Sequence, residues 1–147
     1  MDVKKFLVTG VVLGALALAG ASTAWAAPTN KTFVVDATGS GVAGGMGMKT
    51  SGYAKGTVKV NAVSDTVCYR IYDRGLGVVE AAHIHAGKKG VDGGVVVTLN
   101  VKMFNRTKPA CVKVTSVVAK SLLRFPAFYY FNVHTRAFPS GAVRAQL

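Results

Sequence analysis

The chain reads as an all-β protein, an antiparallel β-sandwich of about seven to eight short strands behind an export signal. Three observations lead there. Apolar and polar residues alternate with period two over several stretches, glycine-rich turns separate those stretches, and no long helical period interrupts them. The 147 residues, half of them hydrophobic, suffice for one domain around one core.

The chain opens with Met1-Asp2-Val3-Lys4-Lys5, followed by an apolar run over residues 6–19 and by Ala24-Trp25-Ala26. A basic start, an apolar centre and an A-x-A site make a secretory signal peptide over residues 1–26. The run is too short for a comfortable membrane span, so no transmembrane segment is expected after cleavage. No twin arginine precedes it and no cysteine stands at the cleavage point, which points to the general secretory route without a lipid anchor.

Residues 27–56 supply a first strand, Thr32-Phe33-Val34-Val35-Asp36, and a glycine-rich loop over residues 39–52. Gly39-Ser40-Gly41-Val42-Ala43-Gly44 formally matches the dinucleotide fingerprint. That fingerprint needs a helix to open inside it, and Gly45-Met46-Gly47-Met48 cannot sustain one. A flexible loop between strands is the expectation. Residues 57–147 form the core of the domain. Val58, Val60 and Ala62 alternate with Thr57, Lys59 and Asn61; after a turn at Ser64-Asp65, Val67, Tyr69 and Ile71 alternate with Cys68, Arg70 and Tyr72. This predicts a hairpin of half-buried strands. Next come the segment around His83 and His85, a glycine-rich basic turn, and a strand Val95-Val96-Val97-Thr98-Leu99-Asn100. Asn105 to Pro109 predicts a turn before Cys111. Residues 114–123 fit a strand or a short helix, and Phe125-Pro126 ends them. Residues 128–135 predict an aromatic strand, Phe138-Pro139-Ser140-Gly141 a turn, and Ala142-Val143-Arg144-Ala145-Gln146-Leu147 the last strand.

Cleavage after Ala26 leaves sixteen Lys and Arg against five Asp and Glu. Such a field favours anionic partners. The basic residues are spread singly apart from Lys88-Lys89, with no basic helix and no aromatic stacking platform, so the charge reads as surface character and not as nucleic-acid binding. A protein or an anionic surface polymer is the partner class left. The two cysteines, Cys68 and Cys111, are both in the exported part, and an even count there favours a disulfide.

The chain has only three histidines. On a strand, His83 and His85 leave the same face, two residues apart. Tyr130, Asn132 and His134 share one side of theirs, so His134 can meet the pair across a sheet. Three imidazoles suit copper or zinc; Met46 and Met48 offer soft sulfurs to cuprous ion, although methionines on a flexible loop are more often incidental. The other account makes these histidines hydrogen-bond donors that fix loop backbone. Asn132 and Arg144 read as a buried polar pair pinning the last strand. Hydrolytic chemistry does not assemble: there is no G-x-S-x-G, no carboxylate pair, and no reactive thiol once Cys68 and Cys111 are bonded.

Two blocks carry a family resemblance. His83-Ile84-His85-Ala86-Gly87 with Gly90, Gly93 and the strand after it, and Tyr130-Phe131-Asn132-Val133-His134-Thr135 with the ending Phe138 to Leu147, resemble the hallmark of the CHRD (chordin-type) domain. The ending has Ala145 where the family usually carries glycine, and the acidic-proline motif near the domain's start is absent. The resemblance implies an immunoglobulin-like β-sandwich, found in many exported bacterial proteins and without a general catalytic activity. The His-x-His pair is also similar to the copper-binding strand of copper–zinc superoxide dismutase, with His134 and Arg144 standing in loosely for its later histidine and arginine; a full dismutase site needs more histidines than three. Two readings follow. One is an exported, non-enzymatic binding or structural module of the periplasm or extracellular space. The alternative is a copper- or zinc-binding protein using His83, His85 and His134, with redox activity loosely like that of the dismutase.

Overall fold

The computed structural model describes residues 26–44 and 49–147. The expected signal peptide, save for Ala26, and the methionines Met46 and Met48 lie outside the described residues. Among the described residues eight strands and one α-helix follow in the order β1 (Asn30–Thr38), β2 (Tyr53–Asn61), β3 (Thr66–Arg74), β4 (Val79–Ala86), β5 (Val95–Leu99), β6 (Ala110–Lys113), α1 (Ser116–Arg124), β7 (Tyr129–Thr135) and β8 (Val143–Gln146).

Alternation decides which way each strand faces. Phe33, Val35 and Ala37 of β1 are buried while Thr32, Val34 and Asp36 are exposed. Val58 and Val60 of β2 and Val67, Tyr69 and Ile71 of β3 continue the same inner face. β1 and β2 pair over nine residues, from Asn30 opposite Asn61 to Thr38 opposite Tyr53. Each fully buried Val, Ile or Phe side chain contributes roughly 1.5–3 kcal/mol by leaving water.

All eight strands join in one antiparallel sheet, ordered β5-β4-β7-β8-β1-β2-β3-β6. The sequence predicts two stacked sheets. The strands instead form two halves stitched together, because the end of β1 reaches β8 through Thr38 opposite Arg144. The sheet curls toward a barrel, and its two edges line a common groove: Val96 and Val97 of β5 face Val112 of β6, with Val114 and Val118 at the helix entry.

The ambiguous residues 114–123 resolve as helix. The Thr115 hydroxyl accepts the Val118 N–H at 3.2 Å and so caps the first turn. Ala119, Leu122 and Leu123 then fall on one buried face, at helical and not strand spacing. Pro126 stops the run. Cys68 on β3 stands directly opposite Cys111 on β6, and their sulfurs are at disulfide distance. Among the described residues no helix is long and apolar enough to cross a membrane.

Candidate metal centre

The sheet has two faces, and in the β5-β4-β7-β8 half they differ sharply. Ala82, Ile84, Phe131, Val133 and Val143 point inward and are fully buried in the core. The opposite face carries the polar residues. Register sets His83 against Asn132 and His85 against Tyr130 between β4 and β7, then Asn132 against Arg144 and Tyr130 against Gln146 between β7 and β8. His134 follows Asn132 two residues on, so it shares that face.

This outward face is not left to solvent. The loop over residues 87–94 folds over one part and the loop over residues 136–142 over another. His85, Asn132 and Arg144 are only 8%, 4% and 3% exposed as a result. Backbone bonds hold the first loop in place: Ala86 N–H donates to Gly94 O at 2.9 Å and Gly87 N–H to Phe128 O at 2.7 Å. From β8, Arg144 donates to Lys88 O at 2.7 Å and pairs with Asp92 at 3.2 Å, while Gln146 donates to Gly87 O at 2.8 Å. Position 93 must be glycine for this path, since a Cβ there would overlap the Ala86 carbonyl oxygen.

The three histidines converge, as the strand spacing predicts. Their ring centroids lie 5.3 Å (His83 to His85), 5.1 Å (His83 to His134) and 5.7 Å (His85 to His134) apart. One ligand nitrogen from each falls within 4.8 Å of the others. His85 Nδ1 contacts Gly93 O at 2.9 Å and His134 Nδ1 contacts Pro139 O at 2.9 Å. A carbonyl only accepts, so both Nδ1 atoms carry the proton and both Nε2 atoms present a lone pair. This is the backbone support that metal-binding imidazoles use to fix tautomer and ring orientation.

Buried polar atoms normally find partners. Five side-chain atoms do not among the described residues, and four of them belong to this one face: His83 Nδ1, His85 Nε2, His134 Nε2 and Asn132 Oδ1; the fifth is Asp65 Oδ1 in the β2–β3 turn. The two Nε2 atoms and the amide oxygen are acceptors that meet no donor among the described residues. Protonating His83 or His85 would supply donors, but it is disfavoured. Burial, with the neighbouring imidazoles adding repulsion, holds His83 below its ordinary value of 6.5; burial dominates for His85 as well, and outweighs the Gly93 carbonyl that favours its cation.

Tyr130 ties the loop to the histidines. Its ring stacks on His85 at 4.9 Å, nearly parallel to it, and carries the Arg144 guanidinium 3.4 Å from its centroid. Its hydroxyl accepts the Gly93 N–H at 3.2 Å. Gly93 therefore touches His85 through its carbonyl and Tyr130 through its amide. Arg144 and Asn132 stand opposite each other in register, yet the guanidinium spends its bonds on the 87–94 loop. Asp92, Gln146 and the Gly93 carbonyl are the contributors that sequence reasoning missed. Gln146 was readable, because it sits two residues from Arg144 and so on the same face; a backbone carbonyl leaves no mark in sequence.

No curated protein and no solved structure matches the chain. The CHRD domain family model matches residues 27–147, which takes in every strand of the sheet and all three histidines. The chain therefore belongs to the CHRD domain family.

Proposed function

We propose that this CHRD-domain protein is an exported, non-enzymatic module that holds one transition-metal ion, copper or zinc, on His83, His85 and His134. The observation that carries the reading is the gathering of orphaned, buried acceptor atoms on one face, which a cation satisfies and neutral neighbours do not. Imidazole nitrogens suit copper and zinc, and three of them leave a further position for water or another ligand. The carbonyls of Gly93 and Pro139 orient two of the rings before any ion arrives, so little ordering is left to binding.

Export rests on the basic, apolar and A-x-A pattern of residues 1–26 and on the family match, which begins at residue 27. The facing cysteines fit the same oxidising compartment, periplasmic or extracellular. N-terminal sequencing of the secreted protein should begin at Ala27.

Elemental analysis with copper and zinc titration tests the metal reading, on the wild type and on His83→Ala/His85→Ala. One equivalent retained by the wild type and lost in the variant is the expected result. If the wild type retains none and the variant melts lower, the histidines are structural, and a partner-binding module remains.

A further inference from the structure

Away from the histidines, the charge of the chain is unevenly placed. Residues 27–80 carry six Lys and Arg against four Asp and Glu, whereas residues 81–147 carry ten against Asp92 alone. That single carboxylate is paired with Arg144. The sequence from residue 81 onward is thus poor in negative charge, and the one carboxylate beside it on β4, Glu80, is itself paired with Arg136; such asymmetry favours an anionic partner.

Within this half, apolar and basic groups meet at the end of α1. Phe125 and Phe128 are 49% and 47% exposed, with ring centroids 6.3 Å apart and edge to face. Each ring has its own cation: Arg124 lies 5.4 Å from the Phe125 centroid and Lys88 4.7 Å from that of Phe128. The helix extends the patch, since Val117, Lys120 and Arg124 recur at helical spacing and all are exposed. The patch is also held in place. Gly87 N–H donates to Phe128 O at 2.7 Å, and Gln146 donates to Ala127 O at 2.9 Å.

We infer that this face docks on a bilayer surface rich in acidic phospholipid, with Phe125 and Phe128 entering the acyl boundary and Lys88, Lys120 and Arg124 meeting the head groups. Phenylalanine has no hydrogen-bonding group, so its exposed half gains from leaving water and nothing from a sugar hydroxyl. Arg and Lys beside an apolar wedge keep their charge at the head-group level while their stems lie along the apolar layer. With one face of each ring already covered by a cation, the pair suits edge-on insertion better than the stacking of bases. The docking is peripheral and uses none of the three histidines.

Co-sedimentation with vesicles tests it, comparing phosphatidylglycerol–phosphatidylcholine mixtures with phosphatidylcholine alone. The wild type sediments with the acidic vesicles only. Phe125→Ser/Phe128→Ser weakens that binding at least about tenfold, and Lys120→Glu and Arg124→Glu weaken it about fivefold or more each. Unchanged melting temperature and metal titration show that the variants fold. Failure to bind acidic vesicles overturns the inference. So does equal binding by the double phenylalanine variant, which reduces the attraction to charge alone. Tighter retention on an acidic polysaccharide than on vesicles, indifferent to the phenylalanines, assigns the face to a polymer instead.

Discussion

The two halves of the sheet are built by the same alternation and used in opposite ways. In β1, β2, β3 and β6 the inner face is apolar and the outer face meets water, so that even Val34 is left 81% exposed. Its cross-link joins β3 to β6, Cys68 facing Cys111. In β4, β7 and β8 the inner face is equally apolar, but the outer face is roofed by two loops and holds His85, Asn132 and Arg144 out of solvent. An outer face usually carries polar groups because water satisfies them. Here several polar groups are taken out of water without partners among the described residues, which is what supports the proposed metal site. One half carries the cross-link; the other carries the histidine cluster.

That division can be broken experimentally. The largest effect expected is on the first half: Cys68→Ser/Cys111→Ser lowers the unfolding free energy by about 4 kcal/mol, from the loop that the pair would close. Denaturant unfolding measures it, and metal affinity should not move; an affinity that falls would show the halves to be coupled. Next, His134→Ala takes one ligand from the second half and lowers metal affinity by about a hundredfold, close to 2.7 kcal/mol. The melting temperature of the metal-free protein changes little, since the orphaned Nε2 acceptor goes with the ring while the bond from Nδ1 to the Pro139 carbonyl is lost. Isothermal titration beside calorimetry would register both.

A smaller change sharpens the role of the covering loop. Gly93→Ala forces the chain off the Ala86 carbonyl and displaces the acceptor of His85 Nδ1. Metal affinity drops about tenfold, as for other supporting partners of a ligand, although no ligand has been touched. Full affinity in Gly93→Ala would show that the loop roofs the site without orienting it. The smallest effect is on pH. His83 and His85 are held below 6.5 in the folded protein, so the unfolded chain takes up protons there first. The contribution of these two histidines to the stability of the metal-free protein is complete above pH 6.5 and is lost as pH falls through the window beneath it. In His83→Ala/His85→Ala the slope in that window flattens, as melting curves across pH would record.

The sequence carried the histidine geometry well, because period two is a strong rule: His83 with His85, and His134 with Asn132 and Tyr130, are on common faces as spacing requires. It carried Cys68 against Cys111 for a different reason, namely that two cysteines in a domain expected to be exported have few options. What could not be read was which face would be covered. That depends on loops whose course is set by carbonyls, those of Lys88, Gly93 and Pro139, and backbone atoms have no sequence signature. The join of the two halves was hidden for a related reason. Thr38 and Arg144 are far apart in the chain, and their pairing is one residue long. Residues 114–123 were undecided because Val114, Ser116 and Val118 satisfy a strand as well; the Thr115 cap and the Pro126 stop settle the matter locally.

That one-residue join between β1 and β8 has a consequence for how the molecule breathes. Nine pairings bind β1 to β2 and seven bind β4 to β7, whereas Thr38 opposite Arg144 is the single ladder pairing at the seam. Amide hydrogens along the seam should exchange with solvent through small local openings, long before those of the strands on either side. Arg144 belongs to the seam and also grips the loop that aims His85. A bound ion would therefore slow exchange at β8 from a distance, and the exchange rate of that strand becomes a gauge of whether the histidines are occupied.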